Sequence, residues 1–181
     1  MPAPRIYTVR EAEATLPLAN QGWQMHQPPL YYVIAALVMA AAGLAVPGPD
    51  AAIMLRWLGL ACGVANLVLV GAALRLAFPD HPRRQLLGLI VATFLPMQLY
   101  LYQLPTNEIL AATLSSAVFL VTLRVLRTDQ PSLRLHGLLG LCMGLALLAK
   151  VSALLGVSVG LGLLAVRMAA GPAIMYLTDT I

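Results

Sequence analysis

Long apolar runs almost free of charge recur from Leu30 to Val166, and they limit what this chain can fold into more than any other feature. They occupy 30–46, 57–74, 86–104, 109–123, 135–149 and 151–166. At about 1.5 Å per helical residue, the run 57–74 reaches about 27 Å, close to a bilayer core of about 30 Å. The run 30–46 reaches about 26 Å, which is marginal for a perpendicular crossing. The chain is 60% hydrophobic and 10% charged. A soluble domain carries about 25% charged residues, so too little polar material is present to cover a water-facing surface. The expected fold is all-α: a polytopic transmembrane helical bundle of about five spans plus an interfacial or re-entrant helix.

The breaks between runs are short and chemically uniform. Pro47-Gly48-Pro49-Asp50, Pro79-Asp80-His81-Pro82, Pro105-Thr106-Asn107 and Thr128-Asp129-Gln130-Pro131 each combine a helix-breaking proline with turn formers. Connections this short join antiparallel neighbours. Gly59 and Gly63, Gly140 and Gly144, and Gly156 and Gly160 are each spaced to share a helix face, where small residues let backbones approach inside a bilayer. The organisation read from this pattern is a polar segment 1–29, a transmembrane helical domain 30–167 and a tail 168–181. Residues 1–25 lack the apolar core of a cleavable signal peptide.

Arginines set the orientation. Arg75, Arg83 and Arg84 flank one break; Arg124, Arg127 and Arg134 flank another, two spans later. Both breaks therefore lie on one side, cytoplasmic by the positive-inside rule. The net charge of +4 then reads as a topology signal, not as a nucleic-acid surface. Asn107, Glu108 and Lys150 fall on the outer side, and Arg167 returns to the cytoplasm. The segment before Leu30 is ambiguous: if 30–46 crosses, His26 is cytoplasmic, and if it dips into the outer interface, His26 joins Glu108 and Lys150.

Few residues remain that could carry chemistry. Glu108 is an ionisable group at the mouth of a span, a functional candidate. It equally suits the first turn of a helix capped by Thr106, where a carboxylate meets the positive end of the dipole. Lys150 stands alone between two runs; it can snorkel to the interface or bind a lipid phosphate. His26 can act as acid, base, metal ligand or phosphate partner, or be an ordinary loop residue. Arg56, next to Trp57, is an interfacial anchor or a phosphate ligand. Tyr31 and Tyr32 suit the headgroup level. His81 and His136 read as solvated loop residues. Cys62 and Cys142 lie in apolar runs without metal-ligand spacing and read as small buried hydrophobes.

The stretch His26-Gln27-Pro28-Pro29-Leu30-Tyr31-Tyr32 resembles the His-x-Pro-Pro-Leu-Tyr-Tyr element of GT-C class membrane glycosyltransferases, in the branch of protein O-mannosyltransferases and the aminoarabinose transferase of lipid A. Asn107-Glu108 is similar to the acidic position after the third hydrophobic segment of that family. The stretch from Gly140 to Lys150 resembles its Gly-Leu-x-x-Gly-Leu-Ala-x-Leu-x-Lys pattern. Together these cover roughly residues 24–166. The resemblance implies transfer of a sugar from a polyprenyl-phosphate carrier to an acceptor at the extracytoplasmic face of a bacterial inner membrane. Glu108 and His26 would be catalytic; Lys150, Asn107, Arg56 and Tyr31 would bind substrate. Membrane lipids are the other expected partners, and nucleic acid is not. Many members use a divalent metal and others do not, so the cofactor stays open. The family places a span and an acidic loop before the histidine element, whereas here only Glu11 and Glu13 precede it, outside any such motif. The chain thus reads as a fragment of such an enzyme. A non-catalytic membrane subunit or transporter-like bundle is the alternative.

Overall fold

The computed structural model describes residues 27–44, 48–101 and 103–170. Among these the fold is helical: α1 (Leu30–Ala41), α2 (Pro49–Ala77), α3 (Pro82–Phe94), α4 (Pro96–Leu101), α5 (Asn107–Arg127), α6 (Leu133–Ala149), a short 3-10 turn (Val151–Ala153) and α7 (Leu154–Ala170). Three helical stretches are long and apolar enough to cross a membrane: Pro49–Ala77, Asn107–Arg127 and Val151–Ala169.

The first apolar run is cut short by a glycine. Gly43 takes φ +64°, a left-handed conformation that other L-residues adopt at a cost. The amide of Leu44 then donates back to Met39 O at 3.1 Å and that of Gly43 to Ala40 O at 3.1 Å, the paired bonds of a Schellman ending. The run 30–46 therefore yields a helix of 12 residues, about 18 Å long, too short for the bilayer core.

Prolines divide the rest. Pro49 and Pro82 occupy first-turn positions, where the missing N–H is not needed, so α2 and α3 begin at what the sequence presents as breaks. Pro96 acts differently. It sits inside the run 86–104, and Leu95 before it is extended, with ψ 116°. The steric demand of the proline ring on its predecessor splits that run into α3 and α4. Lys150 is extended too, so α6 passes into the 3-10 turn and α7 with no loop between them.

Helix α5 is the axis of the bundle and touches α1, α2, α4, α6 and α7. Its Val118, Val121 and Val125 pack with Leu139, Met143 and Ala146 of α6, with Ala153, and with Val157 of α7. The outward stripe of α2 (Trp57, Leu60, Val64, Val68) and that of α7 (Leu155, Val159, Leu163, Val166) remain exposed. Apolar surface this continuous is what a lipid-facing helix presents, since a water-facing protein exposes far smaller patches.

Contacts at the two ends fix the direction of each helix. The Thr113 hydroxyl lies 2.9 Å from Cys62 O and Arg127 Nη2 lies 3.2 Å from Ala77 O, so α2 and α5 run parallel. Arg167 of α7 donates to Val125 O and Thr128 O. Arg75, Arg83, Arg84, Arg124, Arg127, Arg134 and Arg167 thus gather at one end, as the loop arginines led us to expect. Lys150 meets Glu108 at the other.

Only part of the expected small-residue packing occurs. Gly59 and Gly63 are both buried. Gly140 and Gly144 face open space, as does Gly156, so these positions do not bring helices together. Gly160 alone of its pair is a close approach. A Cβ there would stand 3.2 Å from both Met143 Cε and Thr122 Oγ1. Overpacking a site of this kind costs on the order of 1–3 kcal/mol. Gly160→Leu is therefore expected to lower the thermal unfolding midpoint in detergent, whereas Gly156→Leu, one turn away, leaves it nearly unchanged.

Candidate functional site

Asn107 opens α5 at the Lys150 end and is 6% exposed. Its side-chain amide donates to Gln27 Oε1 and reaches Ala149 O at 3.4 Å. A buried amide needs such partners, because leaving one unmade costs about 1–3 kcal/mol. One residue thereby joins the segment before α1, the start of α5 and the end of α6. The Ala149 carbonyl is open to Asn107 because it belongs to the last turn of α6, where intrahelical partners run out.

Lys150, the next residue, carries its ammonium to Glu108 Oε1 as an ion pair. Both side chains are partly exposed, Lys150 at 23% and Glu108 at 40%. The extended backbone at Lys150 aims this side chain across to α5, held by its amide on Ala146 O at 3.0 Å and by Ala153 N on its carbonyl at 3.1 Å. The expectation of a Thr106 cap fails in one respect. Thr106 occupies the N-cap position, but its hydroxyl accepts no bond from α5 and is buried without a partner among the described residues. Glu108 still stands in the first turn, where its charge suits the helix dipole.

The pairing of Gln27 with Asn107 bears on the ambiguous N-terminal segment. It holds the entrance to α1 at the Lys150 end. The other end of α1 returns to α2 through at most about 14 Å of chain between Leu44 and Gly48, and α2 also begins at the Lys150 end. Both ends of α1 thus lie at one end of the bundle, as in the interfacial or re-entrant alternative. His26 lies outside the described residues, as do Glu11 and Glu13.

Arg56 stands level with this cluster but apart from it. Six residues before Cys62, it matches the height of Asn107, six residues before Thr113 on the parallel helix. It is exposed, and with Trp57, Leu60, Tyr100, Gln103 and Leu104 it lines a groove of about 670 Å³ between α2 and α4. Tyr31 is 5% exposed, and its hydroxyl has no partner among the described residues. Tyr32 is the outward ring, edge-on to Tyr31 with centroids 5.7 Å apart. Sequence reasoning missed Gln27 as a structural partner of Asn107, and its one signal was its position inside the histidine–proline element.

Among the described residues the donor set does not suit a divalent cation. Such an ion takes several oxygen ligands, yet Glu108 is already engaged by an ammonium. Among the described residues no group of three His, Cys, Asp or Glu side chains comes together.

No protein-family model matches this chain, and searches among curated proteins and among solved structures find no match either. The geometry alone predicts that Lys150→Glu will destabilise the bundle, on the order of 1–2 kcal/mol for a partly buried like-charge pair. The exchanged pair Glu108→Lys with Lys150→Glu is expected to recover most of that loss in a thermal melt.

Proposed function

We propose that this chain is a multi-pass membrane glycosyltransferase of the GT-C kind, or the N-terminal portion of one, acting on a polyprenyl-phosphate-linked sugar at the extracytoplasmic face of a bacterial inner membrane. In this reading α2, α3 with α4, α5, α6 and α7 are five crossings, and α1 lies in the interface. The observation that carries it is the meeting of Gln27, Asn107, Glu108 and Lys150 at the arginine-poor end of an otherwise apolar bundle. Ionisable groups at membrane depth mark functional sites more often than structural ones.

The chemistry asks for one carboxylate and nearby cations. As a donor phosphate approaches, Lys150 exchanges its carboxylate partner for a phosphate oxygen, freeing Glu108 to accept the proton of an acceptor hydroxyl. The acceptor oxygen bonds to the anomeric carbon as the bond from that carbon to the phosphate oxygen breaks, with inversion. The electron pair leaves on the polyprenyl phosphate, whose charge Lys150 stabilises. The groove beside Arg56, walled by Trp57 and Tyr100, offers aromatic faces for a sugar or the first isoprene units.

The mutual neutralisation of Glu108 and Lys150 also favours a second reading, a non-catalytic membrane subunit in which the pair is only a clamp. Proteoliposomes carrying the full chain and an undecaprenyl-phosphate-linked sugar distinguish the two, with free undecaprenyl phosphate as the readout. Transfer predicts release that falls about 100-fold or more in Glu108→Gln, the scale of a lost general base. Release stays low in the exchanged double variant even though its stability returns. No release by the wild-type chain with any acceptor supports the clamp.

A further inference from the structure

A second opening lies in the arginine half of the bundle, away from Glu108. It has a volume of about 710 Å³ and is bounded by α2 from Val70 to Phe78, by α5 near Ser116 and Thr122, and by α7 at Gly156 and Gly160. Its walls are almost wholly apolar. Along α2 it extends about 12 Å, against the roughly 15 Å of hydrocarbon in one leaflet.

Its mouth is cationic. Arg84 Cζ lies 5.9 Å from the centre of the Phe78 ring that forms one wall. Arg127 reaches Ala77 O at 3.2 Å, at the same rim. Arg167 donates to Val125 O, and its Nη2 to Thr128 O at 2.5 Å, on the α5 side. None of the three forms an ion pair with a carboxylate among the described residues. Each keeps guanidinium N–H groups for another acceptor, and guanidinium binds phosphate oxygens in a fork.

The Thr122 hydroxyl adds a polar point in the wall. The hydroxyls of Thr93, Thr113 and Thr128 each lie within 2.8 Å of the carbonyl four residues back. Thr122, 1% exposed, has no such partner.

We infer that this groove is a binding site for an anionic phospholipid of the arginine-side leaflet, with an acyl chain between α2, α5 and α7 and its phosphate at Arg84, Arg127 and Arg167. Charge selects this occupant over a second copy of the chain. Among the described residues the arginine end carries seven arginines against Asp80 and Asp129, so two copies inserted in the same orientation would bring like charge together. The site lies at the opposite end from Glu108 and stands independently of any transfer reaction.

Native mass spectrometry of the full chain from nanodiscs of phosphatidylcholine mixed with phosphatidylglycerol tests it. The expected result is preferential retention of phosphatidylglycerol. Arg84→Gln is expected to weaken retention on the order of fivefold, the usual effect of one basic residue on an anionic lipid. Gly156→Phe is expected to displace the lipid while leaving the melting temperature in lipid-free detergent unchanged, because Gly156 faces open space. Soluble glycerophosphoglycerol should not compete. Equal retention of the two lipids would overturn the inference, as would phosphatidylglycerol held undiminished by Gly156→Phe. Competition by the headgroup alone would reduce the site to a phosphate site. A dimer that dissociates in Gly156→Phe would assign the groove to a second copy.

Discussion

Helix α5 is fastened by polar groups at both ends, and the register of the bundle depends on it. Lipid is as apolar as a leucine side chain, so helices in a bilayer gain little by hiding apolar surface from it. Packing and hydrogen bonds must choose the arrangement. At one end Asn107 and Glu108 take Gln27, Ala149 O and Lys150. At the other, Arg127 and Arg167 close on backbone carbonyls of Ala77, Val125 and Thr128. Between them the valines of α5 need only fit the surfaces of α6 and α7.

These ties use groups that helix geometry leaves over. The carbonyls of Ala77 and Ala149 belong to last turns, where the intrahelical ladder runs out of donors, and that of Val125 takes Arg167 beside the capping amide of Thr128. Arginine and asparagine side chains supply the donors in place of water. A cation at a helix C-terminus also opposes the negative end of the dipole, so Arg127 and Arg167 gain twice from one position.

Much of this was legible in the sequence. The apolar runs marked the helices, and the arginines grouped the loops correctly, because both signals arise from the bilayer itself. Three features were not. Gly43 ends α1 through its positive φ, a backbone property that hydropathy does not register. Pro96 lies within the run 86–104, and whether a proline there kinks or cuts a helix depends on the neighbours that receive the freed groups. Gln27 looked like a spacer within the histidine–proline element, yet it binds Asn107, 80 positions away. Of the candidate site residues, Asn107, Glu108 and Lys150 come together. Arg56 lines a separate groove, Tyr31 is buried, and His26 lies outside the described residues.

The most direct test concerns which end of the bundle each segment occupies. In a chain with Cys62 and Cys142 replaced by alanine, single cysteines at the exposed positions Pro29, Gln103 and Gln130 can be probed with a membrane-impermeant thiol reagent in sealed vesicles of known orientation. The account predicts that Pro29→Cys and Gln103→Cys are labelled from one side and Gln130→Cys from the other. Labelling of Pro29→Cys together with Gln130→Cys would contradict it, because α1 would then cross the membrane and Gln27 could not reach Asn107.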